Sequence, residues 1–227
     1  MPTEEKICLV DLGLMPYEEA LEAQLFYHEK VKKGQLDGAL LIVQHPPVLT
    51  VGRNSGMSSL RVQEGVLKAR GVSLYTTSRG GDMTAHNPGQ MVVYPIIKQQ
   101  AGLLTPKKYV FSLEKAVIDY LSTIGIEAAR SRLNPGVWVG NAKICAIGVR
   151  IKDRVSMHGL AFNIDNDLGI FDLIVPCGIV AAGVCRVRDF NPDLVYTAVR
   201  DGLLKTLANE FMWHLMDDTQ SELPMRS

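Results

Sequence analysis

Absent from this 227-residue chain are the features of a membrane span, a secreted disulfide scaffold, a dinucleotide or P-loop site, and a nucleic-acid binder. No apolar run approaches the roughly 20 residues that cross a bilayer as a helix. The four cysteines, Cys8, Cys145, Cys177 and Cys185, form no CxxC pair, and a chain of this size builds a core without disulfide staples. Neither GxGxxG nor GxxxxGK[ST] occurs. The 24 Lys and Arg residues balance 24 Asp and Glu, so no net field recruits nucleic acid. The opening MPTEEKICLVDLG carries acids and only a short apolar run, unlike a signal or transit peptide. No internal repeat or low-complexity linker breaks the chain. The expectation is one domain over residues 1–227, reduced and cytoplasmic, with a tail frayed from about residue 220.

What is present concentrates in RGGDMTAHNPGQ, Arg79 to Gln90. Gly80, Gly81, Pro88 and Gly89 surround Arg79, Thr84 and His86, between the strand-like runs VSLYTT and MVVYPII. So many breakers between two strands are costly unless backbone must approach something closely. The segment reads as a ligand cradle.

Around it, KICLVDLG, GALLIVQH and HPPVLTVGR read as strands, and Pro16 opens a helix striped by Ala20, Leu21, Leu25 and His28 that Gly34 closes. GMSSLRVQEGVLKARG reads as a polar helical excursion. Thr105 and Pro106 cap a helix striped by Val110, Leu113, Val117, Leu121 and Ile124, ended by Gly125. IEAAR, GVWVG and KICAIGVRIK follow as strands, the last turning through Lys152, Asp153 and Arg154 into VSMHGLAFNI as a hairpin. Asn191, Pro192 and Asp193 start a closing helix with an apolar face from Leu194 through Leu203 and Phe211 to Leu215. Strands outnumber helices and mostly follow one another, which predicts an α+β fold with a mixed or antiparallel sheet flanked by helices.

Two side chains stand out chemically. Cys177 lies between Pro176 and Gly178, after the apolar Leu173, Ile174 and Val175. A cysteine is commonly a small buried hydrophobe, but a thiol at a sharp turn beside glycine can meet a substrate if a neighbour favours the thiolate. Lys143, between Ala142 and Ile144 at the start of a strand, is the candidate neighbour. Lysines usually end strands as solvated stems; one that points inward loses hydration, which favours a neutral amine able to shuttle a proton. Cys145 shares the strand face with Lys143 and reads as core, and Cys8 as structural. His45, His86 and His158 each stand by turn residues. A zinc site from His86, His158 and Cys177 lacks ligand-like spacing, so no metal and no cofactor are expected, and His86 and His158 are expected to hold loops by hydrogen bonds.

Together these motifs resemble the lipoyl(octanoyl) transferases, over most of the chain and in order: QHPPVLTVGR, RGGDMTAHNPGQMVVYP, GVWVGNAKICAIGVRI, MHGLAFNI and IVPCGI. The resemblance implies octanoyl transfer from octanoyl-acyl carrier protein to lipoyl-domain lysines of 2-oxoacid dehydrogenase E2 subunits and the glycine cleavage H protein. It further implies a monomer with a core fold shared with lipoate and biotin protein ligases. By the resemblance Cys177 is the acyl-thioester nucleophile and Lys143 the residue that activates it. Arg79, Gly80, Gly81, Asp82, Met83, Thr84, Ala85 and His86 would line the acyl pocket, with Ala146, Ile147, Gly148, Gly159, Leu160 and Ala161 as its other walls. The loop departs from the family's RGGQVTYHGPGQ at Asp82, Ala85 and Asn87, and Cys185-Arg186 stands near a usual threonine-serine pair. Ala85 in place of tyrosine leaves space or removes a hydroxyl, which bears on acyl-length preference. The rival readings are an ATP-dependent lipoate ligase on the same scaffold, a non-catalytic acyl- or lipoyl-domain-binding module, and a cysteine hydrolase, for which no His–Asp/Asn partner of Cys177 is visible.

Overall fold

The apolar runs become strands. The computed structural model describes residues 5–53, 59–99, 105–131, 134–175 and 183–217. In chain order its first half holds β1 (Glu5–Leu14), α1 (Tyr17–Lys32), β2 (Gly38–Gln44), β3 (Val48–Val51), α2 (Glu64–Ala69), β4 (Ser73–Thr76), β5 (Thr84–His86) and β6 (Gln90–Ile97). The second half holds α3 (Pro106–Thr123), β7 (Ala129–Arg130), β8 (Gly136–Val139), β9 (Ala142–Lys152), β10 (Val155–Asn163), β11 (Gly183–Val184), α4 (Tyr196–Phe211) and β12 (Trp213–Asp217).

The main sheet runs β12-β1-β2-β6-β10-β9-β8-β7, with β11 alongside the start of β9, and a second sheet runs β4-β3-β5. The β12-β1-β2 pairs are parallel, and the path from β2 to β7 is antiparallel. This is the mixed, helix-flanked α+β sheet that the order of elements predicts. Side-chain alternation splits the interior in two. Leu40, Ile42, Met91, Val93, Leu160 and Phe162 face α3 and α4, while Ala39, Leu41, Val43, Val92, Tyr94 and Ala161 face α1. A sheet covered on both faces needs continuous apolar runs, which explains why GALLIV carries no polar alternation.

Pro95 interrupts β6 in mid-sheet, where a ladder N–H is missing. The Ser156 hydroxyl repairs the gap, donating to Pro95 O at 2.7 Å and accepting from Ile97 N at 3.0 Å. Next to it His158 takes φ +57, and its N–H, turned out of the β6 ladder, donates to Gln24 Oε1 of α1 at 2.8 Å. This break delivers His158 and Gly159 to the site described below.

Several expectations need amendment. The buried stripe of α1 is Tyr17, Ala20, Ala23, Gln24, Tyr27, His28 and Val31, and Leu25 is 48 % exposed. Gln24 is drawn inward by the broken ladder, and this rotates the buried face away from Leu25. The Arg79–Gln90 segment is not all loop: Thr84–His86 pair with Val48–Thr50 as β5. Of the polar excursion, Glu64–Ala69 is helical and residues 54–58 lie outside the described residues. LGIFDL (Leu168–Leu173) winds as a 3-10 turn capped by the Asp167 side chain. The closing helix starts at Tyr196 rather than Asn191, because Asn191–Leu194 close their own hydrogen-bonded turn. It stops when Met212 takes the left-handed conformation (φ 56), so Leu215 belongs to β12. Thr105 does cap α3, accepting from Lys108 N, and Asp153 and Arg154 take the two positive φ angles of a primed hairpin turn. Cys177 and the tail from residue 218 onward fall outside the described residues.

Candidate active site

The second sheet docks on β9 and β10 through glycine. Gly80 N donates to Val149 O at 3.0 Å. At this contact a Cβ on Gly148 would stand 2.8 Å from Gly80 O; within the main sheet one on Gly159 would collide with Val93 O of β6, and beside β3 one on Gly52 would collide with Gly81 O. Backbone therefore lies on backbone without side chains between. Close approach beneath leaves a cavity of about 180 Å³ above the sheet.

Its walls include Arg79, Gly80, Gly81, Asp82, Met83, Thr84 and His86 from the loop, and Ala146, Ile147, Gly148, Gly159, Leu160 and Ala161 from the hairpin, with Lys143. The structure thus brings together residues some 80 positions apart. Ala85 is the exception among the pocket expectations. Strand alternation in β5 turns it away from Thr84 and His86, into a core with Leu49, Ile170 and Phe171. Tyr17, Val92, Tyr94, Val110, Asn134, Pro135, Val149 and His158 also line the cavity and were not singled out for it from sequence, except His158 as a loop-holding group. Asn134-Pro135 beside GVWVG carried a turn signal; Tyr17 and Tyr94 carried none beyond apolar character.

Two of the atypical loop residues are structural ties. Asp82 Oδ1 accepts from Met83 N at 2.7 Å and from Ser59 Oγ at 3.1 Å. Asn87 Nδ2 donates to Asp167 O at 2.7 Å, fastening the loop to the 3-10 turn.

Arg79 is 9 % exposed and grips β3. Its NH2 donates to Thr50 O at 2.6 Å and Thr50 Oγ1 at 2.9 Å, Nε to Thr50 Oγ1 at 3.3 Å, and NH1 to Gly80 O at 3.1 Å. His86 Nδ1 donates to Gln90 Oε1 at 2.7 Å, which leaves Nε2 as acceptor, 3.4 Å from the Thr50 hydroxyl. His45 Nδ1 donates to Met15 O at 2.7 Å, and its Nε2 lies 2.9 Å from the Tyr94 hydroxyl. His158 Nε2 lies 3.3 Å from Ser78 Oγ. Burial lowers the pKa of His45 to about 4, and those of His86 and His158 to about 3. After burial, His45 chiefly depresses His86 and Arg79 chiefly depresses His158; Arg79 also acts on His86. All three are neutral near pH 7, so the Arg79 guanidinium lies among uncharged, hydrogen-bonded rings, of which His86 and His158 line the cavity.

Lys143 also lines the cavity and is 6 % exposed. Its Nζ donates to Asn134 Oδ1 at 3.0 Å and Pro135 O at 3.2 Å, and stands 4.8 Å from the Trp138 ring centroid. Cys145 is fully buried in the core, and desolvation raises its thiol pKa far beyond what Lys143 offsets. Cys185 is also buried, its pKa pushed up to about 12 by desolvation and then by Asp189. Neither thiol is a reactive thiolate. A buried amine beside a glycine-walled apolar cavity offers a group that can exchange a proton next to space for an apolar chain.

The model of the lipoyl protein ligase A/B catalytic domain matches residues 16–208. The chain belongs to that family. A protein named octanoyltransferase from Maridesulfovibrio salexigens is 43% identical over 76% of this chain and 81% of its own. One of the same name from Thermoanaerobacter sp. (strain X514) is 38% identical over 95% of this chain and 94% of its own. Among solved structures, a lipoate-protein ligase A bound with ATP superposes with TM-score 0.78 at 17% identity, covering 97% of this chain and 91% of that one. The bipartite lipoate protein ligase system of Thermoplasma acidophilum gives 0.79 at 17% identity, covering 97% and 89%. At that identity the two structures speak for the fold alone, which this family member shares.

Proposed function

We propose that this family member is an octanoyltransferase that carries an octanoyl group from octanoyl-acyl carrier protein to the acceptor lysine of lipoyl domains, through an acyl-thioester on Cys177. The observation that carries this reading is the Lys143 amine, buried, held by Asn134 and Pro135, and lining an apolar cavity walled also by Gly80, Gly148 and Gly159. The octanoyltransferase relatives supply the acyl group. The borders of the segment carrying Cys177 also support it. Val175 N donates to Ser59 O at 2.7 Å, next to Asp82, and Gly183–Val184 pair with Ala142–Lys143.

In this mechanism Lys143 accepts the Cys177 proton, and the thiolate attacks the incoming thioester carbonyl. A C–S bond to Cys177 forms as the carrier's C–S bond breaks, and the Lys143 ammonium returns the proton to the departing carrier thiolate. The acceptor amine then attacks the acyl-enzyme; Cys177 leaves as thiolate, and the surplus amine proton returns to the Cys177–Lys143 pair. The acyl group stays activated from sulfur to sulfur, so no ATP is consumed. At about 0.8 kcal/mol per buried methylene, the octanoyl tail contributes roughly 5 kcal/mol of binding before ordering costs. A valine at Gly80, whose Cβ already meets Val149 O at 3.3 Å, should shorten the accepted chain.

Intact-mass analysis after mixing with octanoyl-acyl carrier protein tests the proposal. Wild type should gain one octanoyl group, Cys177→Ser none, and Lys143→Ala should acylate slowly. Acylation of Cys177→Ser at a different residue would sink the thioester intermediate. Lipoyl-domain modification from octanoate and ATP without the carrier would favour the ligase reading instead.

A further inference from the structure

One peptide plane joins Lys143 to a carboxylate outside the cavity. The carbonyl of Pro135 accepts from Lys143 Nζ at 3.2 Å, and the N–H of that same peptide unit, on Gly136, donates to Glu114 Oε1 at 2.9 Å. A carboxylate at the N–H pole and an amine at the oxygen pole polarise the unit in the same sense, so each contact strengthens the other.

The surroundings make this link specific. Glu114 is 6 % exposed on α3, among Leu113, Val117 and Leu121, where an apolar residue would pack without the desolvation that a carboxylate suffers. Its second oxygen lies 3.1 Å from Arg130 Nε, an ion contact off the N–H axis rather than an aligned hydrogen bond. Arg130 is itself stacked 3.6 Å from the Phe111 ring centroid and donates to Phe111 O at 3.0 Å. Gly136 has φ +130, and a Cβ there would stand 2.5 Å from Cys145 O and 3.4 Å from Lys143 Cε. The turn therefore rests directly on the lysine stem, and Glu114 holds the turn.

We infer that Glu114 is a positioning residue for Lys143, acting through the Pro135–Gly136 peptide to aim the amine and to stabilise it when it carries the transferred proton. The inference rests on the reading of Lys143 as the proton-transfer group. Glu114 then serves as the third member of a nucleophile–base–orienter arrangement in which the orienter touches neither substrate nor base directly. The same carboxylate also raises the pKa of Cys145, which places its field in the neighbourhood of Lys143.

The test is single-turnover acylation by octanoyl-acyl carrier protein, followed by intact mass over hours, with steady-state transfer measured alongside. Glu114→Gln keeps an acceptor for Gly136 N–H without the charge and should lower the rate about ten-fold; Glu114→Ala removes both and should lower it about a hundred-fold. Because Glu114 does not itself line the cavity, KM for the acyl donor should stay within about two-fold in Glu114→Gln. In the Lys143→Ala background, Glu114→Ala should add no further loss, since its route to the reaction is gone. An equal fold-loss in both backgrounds would make Glu114 mere scaffold and overturn the inference. Wild-type rates in Glu114→Gln and Glu114→Ala would also overturn it, while a slow Lys143→Ala leaves the reading of Lys143 standing. Wild-type acylation by Lys143→Ala would sink that reading itself. Should Glu114→Ala fail to fold, the near-isosteric Glu114→Gln decides.

Discussion

The two buried basic side chains that line the cavity, Arg79 and Lys143, are held in different ways. Arg79 spreads four donor contacts over Thr50 and Gly80, in the fork geometry that only a guanidinium offers. It cannot give up a proton, and its neighbours are neutral histidines. Lys143 donates from a single nitrogen to Asn134 and Pro135, in a turn held from behind by Glu114. An amine, unlike a guanidinium, can exchange a proton. Arg79 ties the cradle together, and the proposed role of Lys143 is to work in it.

Lys143→Arg breaks the comparison most sharply. An arginine supplies a fixed positive charge but cannot exchange a proton, so acylation should fall by roughly a hundred-fold or more while the protein stays folded by circular dichroism. An arginine variant that acylates at the wild-type rate would mean that charge alone suffices. Arg79→Lys is the mirror experiment. It keeps the charge but strips the fork from Thr50, leaving a buried carbonyl and hydroxyl under-bonded. Stability should drop by roughly 2–3 kcal/mol in urea unfolding, with a smaller loss of rate per folded molecule than Lys143→Arg shows. A loss of turnover at unchanged stability would instead put Arg79 in the chemistry.

The buried histidines around Arg79 add a pH slope to the comparison. The pKa values of His45, His86 and His158 in the folded chain, about 3 to 4, lie below the ordinary 6.5. Above pH 6.5 neither state binds these protons, and no stability is lost. Below it the unfolded chain takes up protons that the folded chain refuses, so stability falls as pH drops towards 4. Each histidine contributes up to about 1.4 kcal/mol per pH unit. Urea midpoints measured between pH 7 and pH 5 should decline, and His45→Gln should flatten part of the slope. A flat profile in wild type would show that these rings are protonated in the folded chain.

The walls of the cavity also differ in how far they were legible. The loop wall announced itself, because clustered glycines with Arg79, Thr84 and His86 have few other uses. Even so, Ala85 was misplaced, since that stretch forms β5 and alternation turns every second residue away. The hairpin of β9 and β10 followed from apolar runs around a two-residue turn. Lys143 could be suspected from its position, but Glu114 looked like any helix acid beside Lys115. The first helix illustrates the same limit: Leu25 outranks Gln24 by hydropathy, yet Gln24 is buried because His158 N–H requires an acceptor. The closing helix ended at Met212, a residue with none of the glycine signal that marks most left-handed caps.

From its own residues the chain determined where most strands and helices form, because those depend on periodicity, capping and turn chemistry within a few neighbours. It also determined the cradle, since glycine clusters are local. Which buried polar group meets which was decided by tertiary structure. Gln24 with His158, Arg79 with Thr50, and Glu114 with the peptide that holds Lys143 are bonds between elements distant in sequence. A buried donor or acceptor must find a partner, and only the packed sheet and helices settle which one lies within reach.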